Sequence, residues 1–595
     1  MNFKTYQTSC LVVGSGCAGF NAADTLFDCG MTDVILATEG IKMGTSRNTG
    51  SDKQTYYKMS LSHDCVDGVG KMAESYFKGQ AMSGELALTE SANSLSCFFK
   101  LCTLGVPFPK NEFGEFVGYQ TDHDDTKRAT SVGPLTSKYM TEALERSVLS
   151  KNIQILDCTL VFKLLVKDNK ICGAVAYDKA HNEFVCIETP AIILATGGSA
   201  YLYKDSVFPL SQTGMSGLAI EAGAETANLT EWQYGLASID FRWNVSGTYQ
   251  QVLPRYISVD EKGNEYEFLY DALTNDEVLL YTFRKGYQWP FDSRKKDASS
   301  LVDILVHKEI LKGRKVYMDF MENPKGFSFD ALPEEAYTYL ENSGAMQDKP
   351  IDRLLCMNEK AYQLYKDHNI DLKTEMLRVA VCAQHQNGGL KVDKNYQTTV
   401  DGLYAAGEVA GVFGVYRPGG SALNSTQVSS MRSAKHIAKF RRAQVESVSD
   451  MAQKYLDALE FTTDELDFSE KQAELQRKMT DFAAFSRDLS EIKKMQQEVD
   501  GLLDAATEIP QNKVGAFLKY KDMLITMREV LCSMAFWCEK IGARGSAMTV
   551  GCETMDDSGL VVYTKNGVAY AEAPAPIPES EVWFETVYNK QEDVL

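Results

Sequence analysis

Long apolar runs are missing from this sequence of 595 residues. No stretch approaches the ~20 residues that a membrane-spanning helix requires, and residues 1–13 show no secretion pattern. Ordered cysteine spacing is missing too. The 14 cysteines include no Cys-x-x-Cys pair and no Cys-x-x-Cys-His, which argues against iron–sulfur ligation, c-type haem and a disulfide framework, and for the reduced thiols of a cytoplasmic chain. Positive charge is in deficit, with 61 Lys and Arg against 81 Asp and Glu and a formal charge of −20. Such a surface repels phosphate backbones, so no nucleic-acid partner is expected. Histidine is scarce, at seven residues. There is no Gly-x-Ser-x-Gly elbow, no phosphate loop and no His-Glu-x-x-His motif. Asp122, His123 and Asp124 are adjacent and point in different directions, so no metal site is expected.

What is present is a globular composition, 44% apolar and 24% charged, with length for about two to four domains. The first forty residues read as strand (10–13), tight turn, helix (20–27) and strand (34–37). Gly14-Ser15-Gly16-Cys17-Ala18-Gly19 forms the turn, and Thr38 and Glu39 end the second strand. This is the dinucleotide fingerprint in its required context. The glycines permit the turn and a close approach to pyrophosphate at the helix N-terminus, and Glu39 is spaced to accept from a ribose hydroxyl.

Further strands are expected at 153–156, 159–166, 170–177, 185–187 and 191–194, the last ending at Ala195-Thr196-Gly197-Gly198. Residues 228–393 are mixed. A strand returns at 402–405, followed by a Gly-rich segment and a helix over 427–442. Beyond 449 the sequence turns charged and helical. Leu489, Ile492, Met495, Val499 and Leu502 mark one apolar face, and a second helix covers 521–540. The tail around Pro574, Pro576 and Pro578 is expected to be extended on the surface. The nucleotide-type strands are split, so one domain is expected to be interrupted by another.

The segment at 195–198, and Gly402-Leu403-Tyr404-Ala405-Ala406-Gly407-Glu408, resemble the later signatures of flavin-binding proteins. Gly407-Glu408-Val409 with Gly414-Val415-Tyr416-Arg417-Pro418-Gly419-Gly420-Ser421-Ala422-Leu423 resembles the fumarate reductase, succinate dehydrogenase and L-aspartate oxidase flavoprotein family. Gln384-His385-Gln386-Asn387-Gly388-Gly389-Leu390, Gly313-Arg314-Lys315-Val316-Tyr317-Met318-Asp319, Arg432 and Ala543-Arg544-Gly545 match in family order, so the resemblance spans essentially the whole chain. It implies an α/β fold. A Rossmann-like, glutathione-reductase-type FAD-binding domain (1–228 and 381–445) is split by an inserted α+β capping domain (229–380). A helical C-terminal domain with an extended tail (446–595) follows, and substrate binds between the first two domains.

The resemblance carries FAD onto Gly14, Gly16, Ala18, Gly19, Thr38, Glu39, Ser46, Gly50, Val161, Ala195, Thr196, Gly197 and Gly198, and onto Gly407, Glu408, Gly420, Ser421, Ala422 and Leu423. Thr45-Ser46-Arg47-Asn48-Thr49-Gly50 holds no histidine where some members tether the flavin, so non-covalent FAD is expected. The dicarboxylate-reading histidines are also missing. The capping segment reads Glu231-Trp232-Gln233-Tyr234-Gly235-Leu236. Strict spacing puts Gln384 at the other position, with His385 one place off.

Arg417 is the clean match, a rigid fork for a carboxylate or carbonyl. Arg255 stands nearest to the expected catalytic arginine. An unperturbed guanidinium is a poor acid, so Tyr256 and Tyr416 are alternative proton sources. His385 and His123 complete the catalytic candidates, while Lys53 reads as solvated. The implied activity is hydride transfer between flavin N5 and a small organic substrate, most naturally the reduction of an activated C=C bond or its reverse. Oxidation of an amino or hydroxy acid is the alternative within enzymes, and a non-catalytic FAD-carrying subunit is the alternative outside them. With no second fingerprint, haem motif or cluster ligands, electrons must come from a partner protein, reduced flavin or a nicotinamide visiting the cleft.

Overall fold

The continuous apolar runs become the inner strands of a five-stranded parallel sheet in the computed structural model, which describes residues 3–441, 445–463, 468–551, 558–579, 581 and 583–589. Its order is Leu403–Ala405, Ile192–Leu194, Cys10–Val13, Val34–Ala37 and Gln154–Leu156. Leu11, Val13 and Ile35 enter one core while Cys10, Val12, Val34 and Leu36 enter another. Burial on both faces is why these runs show no polar alternation.

Thr159–Lys167, Lys170–Asp178 and Glu183–Glu188 form a second sheet. Its fourth strand, Phe3–Gln7, pairs parallel to Glu183–Glu188. That strand was not expected, since its half-exposed residues give no apolar run.

The split is visible in the pairing itself, with Ile192 opposite Leu403 and Leu194 opposite Ala405. Between them the chain builds a six-stranded antiparallel sheet. Its order is Trp243–Asn244, Trp232–Ser238, Leu377–Gln386, Lys315–Asp319, Arg255–Val259 and Glu265–Tyr266. Leu377–Gln386 continues unbroken across the expected boundary at 380. Where it pairs with Trp232–Ser238, Gln233 faces His385 but Tyr234 faces Ala383, so Gln384 is the extra residue of a β-bulge. Bulges bend a strand and re-aim its side chains.

The helix expected over 427–442 begins earlier and spans Ser421–Phe440, launched from Gly420 at φ +88°. The C-terminal helices Leu489–Ala505 and Val514–Lys540 pack through Ile492, Met495 and Val499 against Met523, Leu524 and Met527. Each such buried side chain contributes about 1.5–3 kcal/mol. The hairpin Val561–Lys565 and Val568–Glu572 joins Thr226–Ala227 in a further sheet. The proline-rich tail then lies against another helix, where Gly84 N–H donates to Ala575 O at 2.8 Å. Among the described residues no helix is long and apolar enough to cross a membrane.

Candidate active site

The fingerprint turn is forced by contact. Gly14 lies at φ +113°, and a Cβ there would stand 2.3 Å from Ala195 O, while one on Gly19 would stand 1.9 Å from Gly14 O. The two strands and the first helix therefore close to backbone contact, which only glycine allows. The helix Cys17–Asp28 starts at Gly16 with no side-chain cap, and Ser421–Phe440 starts at Gly420 likewise uncapped. The first turns of both face one cleft, along with Gly14, Gly16, Ala18, Thr38, Glu39, Ser46, Val161, Ala195, Thr196, Gly197, Gly407, Glu408, Ala422 and Leu423. Free N–H groups and the positive ends of two helix dipoles suit an anionic, oxygen-rich ligand. Two buried wall atoms, Thr196 Oγ1 and Gln384 Oε1, have no hydrogen-bond partner in the protein. These features fit FAD.

The other expected cofactor residues sit elsewhere. Gly19 is a packing glycine, Gly198 backs the Glu408 carboxyl, and Ser421 is wholly buried and bonded to Arg417. Gly50 and Gly420 line a neighbouring cleft. Glu39 faces the nucleotide cleft, but Lys179 and Lys519 both hold its Oε1, each at 2.8 Å. Burial would raise its pKa, yet the two lysines hold it below the usual value. Sequence reasoning missed Gln212, which binds Thr45 Oγ1 and the Thr196 and Gly198 carbonyls. It comes from a loop without a pattern.

The second cleft is a cavity of about 950 Å³ between the parallel sheet's loops and the six-stranded sheet. It opens into the first through shared walls at Thr49, Gln54, Gln384, His385, Ala422 and Leu423. Arg417 lies in its wall, buried, with Nη2 donating to Gln233 Oε1 at 2.6 Å and Nε donating to Asn387 Oδ1 at 3.3 Å. No carboxylate pairs with it among the described residues. Burial lowers its pKa to about 10, so it is charged at neutral pH. Asn387 Nδ2 donates to Gly414 O, which fixes the amide with Oδ1 as an acceptor. His385 Nδ1, at 3.1 Å from that oxygen, must then carry the proton. The bulge brings both Gln384 and His385 to the cleft, so the one-place offset in the sequence is absorbed by the strand. Burial, with Arg417 nearby, depresses the His385 pKa far below that of a free imidazole. Burial pushes Glu408 the other way, to about 7, although Gln386 N–H donates to it at 2.7 Å.

His123 is in the cleft at φ +57°, with its ring 5.0 Å from that of Tyr416 and its pKa lowered by burial to about 4. Beside it, the Asp122 carboxyl is pushed up by burial to about 8. Lys295, across the same cleft, pairs with no carboxylate among the described residues. Neither Asp122 nor Lys295 was selected from the sequence. The adjacent acids around His123 were the one available signal for Asp122.

Two expectations fail. Arg255 lies on an outer strand of the six-stranded sheet, bound to Asp319 at 2.7 Å and Glu322 at 3.1 Å, and does not line the cleft. Tyr256 points into the core, where its hydroxyl donates to Gln250 Oε1 at 2.7 Å. Strand alternation sends one outward and the other inward, and neither direction is the cleft.

Residues 9–423 match a family model described as FAD binding domain. The chain is 24% identical over 547 residues to a fumarate reductase (CoM/CoB) flavoprotein of Methanothermobacter marburgensis, covering 88% of this chain and 91% of that protein. It is 25% identical over 446 residues to an L-aspartate oxidase of Clostridium perfringens, covering 72% and 86%. In fold it is similar to the E. coli quinol fumarate reductase FrdA, with a TM-score of 0.71, 18% identity and 99% and 100% coverage. It is also similar to the Mycobacterium smegmatis Sdh1 complex, with a TM-score of 0.73, 18% identity and 97% and 96% coverage.

Proposed function

The chain belongs to the FAD binding domain family, and from that premise we propose that it reduces an activated C=C bond conjugated to a carboxylate or carbonyl group. It is an FAD-dependent oxidoreductase. The observation that carries the reading is Arg417, a buried guanidinium with no counter-ion among the described residues, in a cleft that opens into the nucleotide cleft.

Bound FAD supplies a ring that gives or takes a hydride. In this reading Gly14 and Gly16 admit the pyrophosphate, Glu39 offers Oε2 to a ribose hydroxyl, and the first turn of Ser421–Phe440 faces the ring's electron-rich edge. With no histidine in 45–50, and His385 the one histidine among the described residues of the nucleotide wall, the cofactor is held without a covalent bond. Arg417 grips the activating oxygens and draws charge from the double bond, orienting the reacting carbon. Gln233 and Ser421 fix the plane of the guanidinium. His385 offers Nε2 as an acceptor, since its proton is committed at Nδ1. Asp122, neutral at pH 7, and Tyr416 are the cleft groups that carry protons. A neutral Asp122 also gives a substrate ammonium no counter-charge, which favours alkene reduction over amino-acid oxidation. The similar protein named as a fumarate reductase supports the same direction. We read the electron source as a separate donor, as the names of similar proteins, given as parts of larger complexes, suggest.

The test is anaerobic. FAD-loaded, photoreduced protein is mixed with unsaturated mono- and dicarboxylates and enones, and flavin reoxidation is followed near 450 nm. Fast reoxidation by one class supports the reading. Peroxide formation with a saturated amino acid, and no reoxidation by any alkene, overturns it.

A further inference from the structure

A second cavity, of about 260 Å³, opens on the outer side of the six-stranded sheet, away from the substrate cleft. Lys204, Arg242, Arg314, Lys315 and Arg378 line it, against Asp205 and Asp240. In a chain with a formal charge of −20 this is a local inversion of sign. Asp240 takes up Arg378 at 3.5 Å and Glu309 takes up Arg314 at 2.7 Å. Lys204, Arg242 and Lys315 have no ion-pair partner among the described residues. Asp205 does not neutralise them, because burial raises its pKa in spite of Lys204, Arg242 and Arg378. Lys204 and Lys315 are exposed.

Position gives this patch its meaning. The segment 204–208 separates it from the flavin side. Lys204, Asp205 and Ser206 line the basic cavity, while Val207 lines the substrate cleft and Phe208 the nucleotide cleft. Arg242 spans the segment, donating to Lys204 O at 3.2 Å and to Phe208 O at 3.1 Å. Val207 N–H donates to Ala383 O, next to the bulge residue Gln384, and Val207 O accepts from Thr49 Oγ1 at 2.9 Å. Both Thr49 and Gln384 stand where the two clefts meet. One short segment is therefore all that lies between a positive surface and the place where the cofactor ring belongs.

We propose that this patch docks an acidic one-electron carrier protein, which reduces the cofactor across segment 204–208. The assignment rests on the reductase reading only for the direction of flow. Each encounter oxidises one carrier by one electron. Two encounters supply the two electrons that one C=C bond consumes, and the two protons for the new C–H bonds come from solvent. Complementary charge raises the encounter rate and is screened by salt, and redox encounters of this kind use small, weak interfaces.

The probe is a reduced acidic [4Fe–4S] ferredoxin, mixed with FAD-loaded protein with no organic substrate present, so the outcome is independent of the substrate reading. The charge-reversed variant Lys204→Glu/Lys315→Glu is compared with wild type. Its second-order rate constant for flavin reduction should fall at least tenfold at low ionic strength, and the gap should close near 0.5 M salt. The calorimetric Kd for the ferredoxin should weaken at least tenfold, while photoreduction of the flavin and melting temperature stay unchanged. Rates and Kd within twofold of wild type would overturn the proposal, as would a wild-type rate that rises with salt. Inorganic pyrophosphate that binds the patch without slowing reduction by ferredoxin would reveal a small-anion site instead, and would equally overturn it.

Discussion

His385 and Arg417 share a single acceptor: Asn387 Oδ1 lies 3.1 Å from His385 Nδ1 and 3.3 Å from Arg417 Nε. One amide thus sets the histidine tautomer and the tilt of the guanidinium together, and it does so without a negative charge. Had residue 387 been an aspartate, the charge of Arg417 would be spent inside the protein. As it stands, that charge remains for a ligand.

Arg417→Lys should therefore keep its FAD, read from absorbance near 450 nm, yet lose roughly 10²-fold in kcat/KM. An ammonium is a point charge and cannot reproduce the bonds to Asn387, Gln233 and Ser421 at once. Full turnover in this variant would remove Arg417 from the site.

The outer-sheet residues should behave oppositely. Arg255→Ala breaks a buried bond to Asp319 and should lower melting temperature while leaving kcat within about twofold. Tyr256→Phe, which loses one neutral hydrogen bond to Gln250, should cost about 1 kcal/mol of stability. Steady-state kinetics beside thermal denaturation separates these effects from catalysis.

Acid precipitation should leave all the flavin in the supernatant, because no histidine lies in 45–50. A yellow pellet after repeated acid washing would point to a bond at His385, which lines the nucleotide wall.

The stability of the protein should fall as pH rises from 6.5 to 8. Burial raises Glu90 to about 7 from 4.5 and Asp522 to about 8 from 3.8. Across this window the folded chain binds more protons than the unfolded chain, so each group removes up to about 1.4 kcal/mol per pH unit as it is forced to ionise. His123 and His307, lowered by burial to about 4, oppose this only below pH 6.5. Denaturant melts at the two pH values should show the decline, and Asp522→Asn should flatten it.

The fingerprint, the split sheet and Arg417 were legible because each is written in consecutive residues with a backbone reason behind it. His385 was legible only in part, since the bulge that turns it into the cleft depends on a partner strand about 150 residues away. Arg255 and Tyr256 were misplaced because a short motif does not tell which side of an antiparallel strand faces a neighbouring domain. Asp122 and Lys295 went unselected because separate loops supply them, and only the folded chain brings them to one cleft.

The pairing of Ile192 with Leu403 also governs how the molecule comes into being. During synthesis the nascent parallel sheet has an open edge until its last strand emerges. At ~5–20 residues per second, roughly 200 intervening residues keep it open for about 10–40 s. A large separation in sequence makes such closure slow and leaves apolar strands exposed meanwhile. Cofactor loading must follow release of Leu403–Ala405, so a chain truncated before that strand should depend on chaperones and remain colourless.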